Sequence, residues 1–94
     1  MNAQDWKDAV AKAGCVMCRR LDLPQRGRTQ VHHVREGQGL SQRASDWLTV
    51  GLCREHHQGK SGLHGLGTRG FYQAYRLDEL DLLADTIAGV AKGI

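Results

Sequence analysis

Two short spacings constrain this chain more than anything else in it. Cys15 and Cys18 are separated by two residues, and so are Cys53 and His56. Each pair can turn both donor atoms onto one ion, and C-x2-C with C-x2-H supplies the four ligands of a tetrahedral zinc. Thirty-four residues lie between the pairs. An ion held by both would tie the segment after the first helix to the start of a short helix further on. Four protein ligands leave no vertex for substrate, so such an ion would be structural. The alternative is three buried thiols and a surface histidine; two pairs at matching spacing speak for the metal.

A staple of that kind suits the length. The 94 residues read as one domain, 1–94, with a modest core that metal would help to hold. Hydrophobic content of 40% is too high for a disordered chain. No apolar run reaches the ~18 residues of a membrane span. The N-terminal stretch MNAQDWKDAVAKAG lacks the apolar core of a signal peptide. A cytoplasmic location is therefore expected, and no membrane partner. In a reducing compartment C-x2-C reads as metal or redox chemistry, and the redox reading wants a thioredoxin-like βαβ context that this Gly-rich chain does not offer. Charge is uneven. Residues 15–76 hold ten Lys and Arg against four Asp and Glu, whereas residues 77–94 hold one Lys against four acids. The basic middle suits a polyanion such as nucleic acid, or is a solvated surface.

Taken in order, residues 3–13 predict an amphipathic helix capped by Asn2 and ended by Gly14, with Trp6 and Val10 on its core face. After the C-x2-C, RRLDLPQRGR reads as a loop whose arginines could touch phosphates. Thr29 to Val34 predicts a strand, 35–45 a polar loop, Trp47 to Leu52 a second strand, and Cys53 to Lys60 a short helix stopped by Gly59 and Gly62. Thr68 can cap a helix running to Arg76. Asp78 can cap a last helix whose apolar stripe is Leu80, Leu83 and Ile87.

All five histidines lie between positions 32 and 64. Beyond His56, four remain: His32, His33, His57 and His64. Neighbours on a helix diverge by about 100°, and strand neighbours point to opposite faces. So His56 and His57 can serve two different sites, and so can His32 and His33. A lone histidine is usually a satisfied core residue; four in so short a stretch point to a second functional site.

Strand, loop, strand and helix, with VHH on the first strand and LC-x2-HH at the second strand's end, resemble the HNH, or ββα-metal (His-Me finger), nucleases. The likeness is to the subset framed by C-x2-C … C-x2-C/H, and above all to small phage- and prophage-encoded HNH proteins. It covers about residues 15–64. It implies an α+β fold with a ββα-metal core and a structural zinc, flanked by an N-terminal helix and C-terminal helices over about 68–92.

The resemblance also implies roles. His33 matches the general base that activates water, and His32 and His57 match ligands of a catalytic divalent metal (Mg2+, Mn2+, Ni2+ or Zn2+). The motif's middle Asn, which orients the base, has Asp46 as its nearest candidate; an Asp can accept a hydrogen bond from His33 and raise its basicity. The family often supplies a last ligand four residues after the helix histidine, where this chain has Ser61. His64 is seven residues on, ~10.5 Å along an unbroken helix, so Gly59 and Gly62 would have to fold it back; water or substrate at that vertex is the alternative. The implied activity is a metal-dependent DNA endonuclease or nickase leaving a 3′-hydroxyl and a 5′-phosphate. The rivals are a zinc-stabilised nucleic-acid-binding module without catalysis, and a thiol-redox protein built on Cys15 and Cys18. Residues 35–45 and 59–67 flank the ligands and are expected to form the rim of the site.

Overall fold

In the computed structural model of the chain, residues 1–35 and 44–93 are described. Helix α1 (Ala3–Ala13) starts at a reciprocal box: the Asn2 side chain accepts the Asp5 N–H, and the Asp5 carboxylate accepts that of Asn2. Two otherwise orphaned donors are thereby satisfied. Val10 is its buried anchor. Trp6 is half-buried and donates its indole N–H to Thr49 Oγ1 at 3.0 Å.

The next segment departs from the expected loop. Residues Val16–Arg20 form a helical turn, α2, because Cys15 Sγ accepts the Cys18 N–H at its start. Arg19 and Arg20 are consequently occupied: Arg19 bonds the Ala13 carbonyl at the end of α1, and Arg20 pairs with Asp85.

Strands β1 (Thr29–His33) and β2 (Thr49–Cys53) pair antiparallel, with Thr29 opposite Cys53 and His33 opposite Thr49. Both differ slightly from the sequence expectation. Val34 keeps one bond to Leu48 beyond the strand, and Trp47 and Leu48 belong to a turn closed by the Leu48 N–H on the Ser45 carbonyl. Every residue of β2 is buried, which is why it reads as an apolar run without alternation.

Helix α3 is shorter than expected, Arg54–His57, and a turn through Gln58–Gly62 follows. Helix α4 (Leu63–Tyr75) then begins six residues ahead of the expected start, capped at Gly62 in place of Thr68, and bends where Gly67 leaves helical geometry at φ 74°. The early start depends on close approach: a Cβ on Gly65 would stand 2.0 Å from the Gly59 carbonyl oxygen. Gly65→Ala must therefore push α4 off the preceding turn. It should lower stability by roughly 1–3 kcal/mol, the usual cost of overpacking, read as a lower urea midpoint.

Helix α5 (Glu79–Gly93) is capped as expected, with the Asp78 carboxylate accepting the Asp81 N–H at 2.9 Å and the reverse contact at 3.0 Å. Its buried face is not the expected one. Leu82, Leu83, Thr86 and Val90 turn inward together with Glu79, while Leu80 and Ile87 are 53% and 49% exposed. Of the expected stripe only Leu83 is core.

Phe71, Met17, Leu52 and Leu82 are the largest fully buried side chains, joined by Val10, Val16, Val34 and Val50. Each such side chain stabilises the fold by about 1.5–3 kcal/mol. The result is a small α+β domain built on a two-stranded sheet. Among the described residues no helix is long and apolar enough to cross a membrane.

Candidate metal centres and active site

The turn α2 with its cap Cys15, the end of β2 and helix α3 meet at the first cluster. Cys15, Cys18, Cys53 and His56 are all buried, and their ligand atoms converge. Cys18 Sγ stands 3.8 Å from Cys53 Sγ. His56 Nδ1 is 3.6 Å from Cys15 Sγ, 3.6 Å from Cys18 Sγ and 3.3 Å from Cys53 Sγ. Sulfurs ~2.3 Å from a tetrahedral zinc lie ~3.8 Å from one another, so the donor set fits such an ion. Burial, with Cys15 and Cys53 adding to it, pushes the Cys18 thiol up to about 12. A redox C-x2-C needs the opposite, an acidified thiol. Burial lowers His56, against a smaller opposing pull from Glu55; a neutral imidazole is the form that ligates.

Strand alternation separates His32 from His33. His32, opposite Val50, lies on one face of the sheet and is 5% exposed. On that face its Nδ1 is 3.2 Å from His57 Nε2, and His64 Nε2 is 3.1 Å from the same His57 atom. Nitrogens ~2.1 Å from a shared ion at 90–110° stand ~3.0–3.4 Å apart, so these three also fit. His64 reaches the group from α4, not from α3; the turn between the two helices folds it back. The cluster is graded, with His32 buried, His57 half-buried and His64 exposed. It therefore opens to solvent on one side, unlike the closed Cys/His group. Burial, then the neighbouring His32 and His64, push His57 down to about 4, which keeps its imidazole neutral at pH 7. Its Nδ1–H donates to Gln30 Oε1 at 2.7 Å, which turns the Nε2 lone pair into the cluster.

His33 occupies the other face, toward α1. Its Nε2–H donates to Asp46 Oδ1 at 2.8 Å, and Lys7 of α1 is 3.6 Å from Asp46 Oδ2. The pair is open to solvent, with side chains 37% and 38% exposed. Lys7, His33, Arg35, Ala44 and Asp46 line one cleft of about 380 Å³. Arg54 lines a separate cleft with Arg26 and Glu55. Of the expected rim, Arg35 and Ala44 border the His33 cleft, and residues 36–43 lie outside the described residues.

Three residues around the site were not anticipated. Gln30 had a signal, since it is two positions before His32 and so on the same strand face. Glu79, 4% exposed, accepts from His32 Nε2–H at 2.5 Å and from the Arg35 N–H at 3.1 Å. Its signal was a charge in register with Leu82, Leu83 and Thr86 on the buried face of a helix. Lys7 had none.

Residues 2–75 match the model of a protein family described as recombination enhancement, RecA-dependent nuclease. No curated protein and no solved structure matches the chain.

Proposed function

The chain belongs to the family of recombination-enhancement, RecA-dependent nucleases, and from that premise we propose that it is a metal-dependent DNA endonuclease of HNH type. The proposed scaffold is a single domain whose ββα-metal core is β1, β2 and α3, with a structural zinc on Cys15, Cys18, Cys53 and His56. One observation carries the reading: the adjacent histidines of β1 serve different constellations, His32 in a solvent-open group of three imidazole nitrogens and His33 hydrogen-bonded to Asp46.

His33 is the proposed general base. Its Nε2–H is held by Asp46, so Nδ1 is the nitrogen that takes a proton from water as the water attacks phosphorus. The Asp46 carboxylate supports the positive charge that this leaves on the ring. Lys7 and Arg35, on the walls of the same cleft, bind the non-bridging and flanking phosphate oxygens. A divalent ion on His32, His57 and His64 would supply Lewis-acid stabilisation of the charge developing on the phosphate and the leaving 3′ oxygen. The open side of that cluster is where substrate has access, whereas the closed Cys/His group has no such side. The Asp46-held His33 favours an enzyme over a binding module, which has no use for an oriented base.

The test is cleavage of supercoiled plasmid by protein freed of loosely held ions, then restored with magnesium, manganese, nickel, cobalt or zinc. Because the family's description carries a RecA dependence, each ion is assayed with and without RecA-coated single-stranded DNA complementary to the plasmid. Nicked or linear product is expected only when ion is restored. Intact plasmid under every ion, with and without RecA, would leave the zinc-stabilised binding module as the reading.

A further inference from the structure

A buried carboxylate is retained in a fold only when donors satisfy it. Glu79 is such a group, at the first turn of α5, beyond the residues matched by the family model. Its Oε2 is 2.5 Å from His32 Nε2, and both its oxygens are 3.1 Å from the Arg35 backbone nitrogen. We propose that Glu79 is the positioning residue of the three-histidine cluster. It fixes the proton of His32 on Nε2, so that the Nδ1 lone pair faces His57 and His64, and it makes α5 part of the metal site. The proposal rests on the reading of that cluster as a divalent-metal site.

The three rings make the case together. His57 gives its Nδ1–H to Gln30, leaving Nε2 as a lone pair. His32 gives its Nε2–H to Glu79, leaving Nδ1 as a lone pair. These two lone pairs meet at 3.2 Å, and His64 Nε2 joins them at 3.1 Å from His57. Facing lone pairs repel one another, and a cation resolves the arrangement. Each ligand with a fixed outer nitrogen has its ring orientation set before the ion arrives. A carboxylate does more than an amide here, because it can only accept, and so admits no tautomer of His32 but the one with its proton on Nε2. The Arg35 N–H anchors the carboxylate, and the Asp78–Asp81 cap fixes where α5 begins.

Glu79→Gln keeps the volume and an acceptor for Arg35 but removes the charge, and its amide can turn a donor toward His32. Full-length wild type and E79Q, each with its structural zinc, are titrated with Co2+ by calorimetry and visible absorption. Weakening by about 10–100-fold is expected for E79Q, the range for loss of an outer-shell partner, at unchanged zinc content and far-ultraviolet dichroism. Nitrogen-15 spectra of metal-free-cluster wild type at pH 7.5 give a second readout that needs no variant. His32 should carry its proton on Nε2 in wild type, and partly on Nδ1 in E79Q. Equal Co2+ affinity in the two proteins, or an Nδ1 proton in wild type, overturns the role of Glu79. Wild type that takes up no Co2+ beyond its zinc overturns the metal-site reading itself, and the inference with it.

Discussion

His33→Ala should lower the rate of plasmid cleavage by roughly 10²–10⁴-fold, the usual worth of a general base, while zinc content, melting temperature and DNA affinity stay close to wild type. The separation follows from strand geometry. His33 projects toward α1 and solvent, and its side-chain partner is Asp46. His32, one residue away, projects into the buried side of the sheet, where His57, His64 and Glu79 hold it. Removing the His33 ring empties part of an open cleft and leaves the Cys/His cluster and the three-histidine cluster intact. A base acts only as the proton moves, so its loss belongs to the chemical step rather than to binding. His57→Ala gives the contrast: the fold stays, the open cluster loses its central nitrogen, and metal affinity and activity fall together. If His33→Ala cuts at the wild-type rate, the assignment of the base is wrong even where the protein is a nuclease.

That two residues side by side can be assigned such different work was legible because the signal is local. A period of two on a strand and about 100° per residue on a helix divide His32 from His33, and His56 from His57, before any tertiary contact is known. The C-x2-C and C-x2-H spacings are local in the same way, and so are the caps at Asn2 and Asp78. What escaped the sequence depends on contacts between distant segments. Helix α4 starts at Leu63 through a stretch dense in glycine, where helix propensity is low; the approach of Gly65 to the Gly59 carbonyl supports it, and that is a packing fact. α5 carries two competing apolar stripes, Leu80 with Ile87 and Leu82 with Leu83 and Val90. The second is the buried one, and with that orientation Glu79 reaches His32 and Arg35, and Asp85 reaches Arg20. No periodicity within one helix discloses a partner 47 residues earlier in the chain.

Cys18→Ala should abolish folding and activity together, which is the behaviour that separates the closed cluster from the open one. Cys18 Sγ lies within 3.8 Å of Cys53 Sγ and 3.6 Å of His56 Nδ1, so an ion there ties α2 to the end of β2 and the start of α3. The cluster is embedded in the core, with Val16, Met17, Leu52, Leu63 and Phe71 belonging to the same group of buried residues. Structural zinc binding is worth about 10–16 kcal/mol in small domains, as much as the whole stability of a typical fold at about 5–15 kcal/mol. A site reduced to three ligands gives up a large part of that, and the remaining thiols and imidazole are left buried without the ion. Protons compete for the same atoms. The Cys18 thiol is pushed up to about 12, so in the absence of an ion it keeps its proton, and loading must expel it. Zinc should therefore be lost to chelator more readily as pH falls, and retained as pH rises. Elemental analysis of wild type purified without added metal should find about one tightly held zinc, and Cys18→Ala should hold little and show no cooperative melt near the wild-type temperature. A metal-free wild-type sample that melts cooperatively at the same temperature as the loaded one would sink the structural role, because an ion that contributes nothing to the melt is not holding α2 against β2.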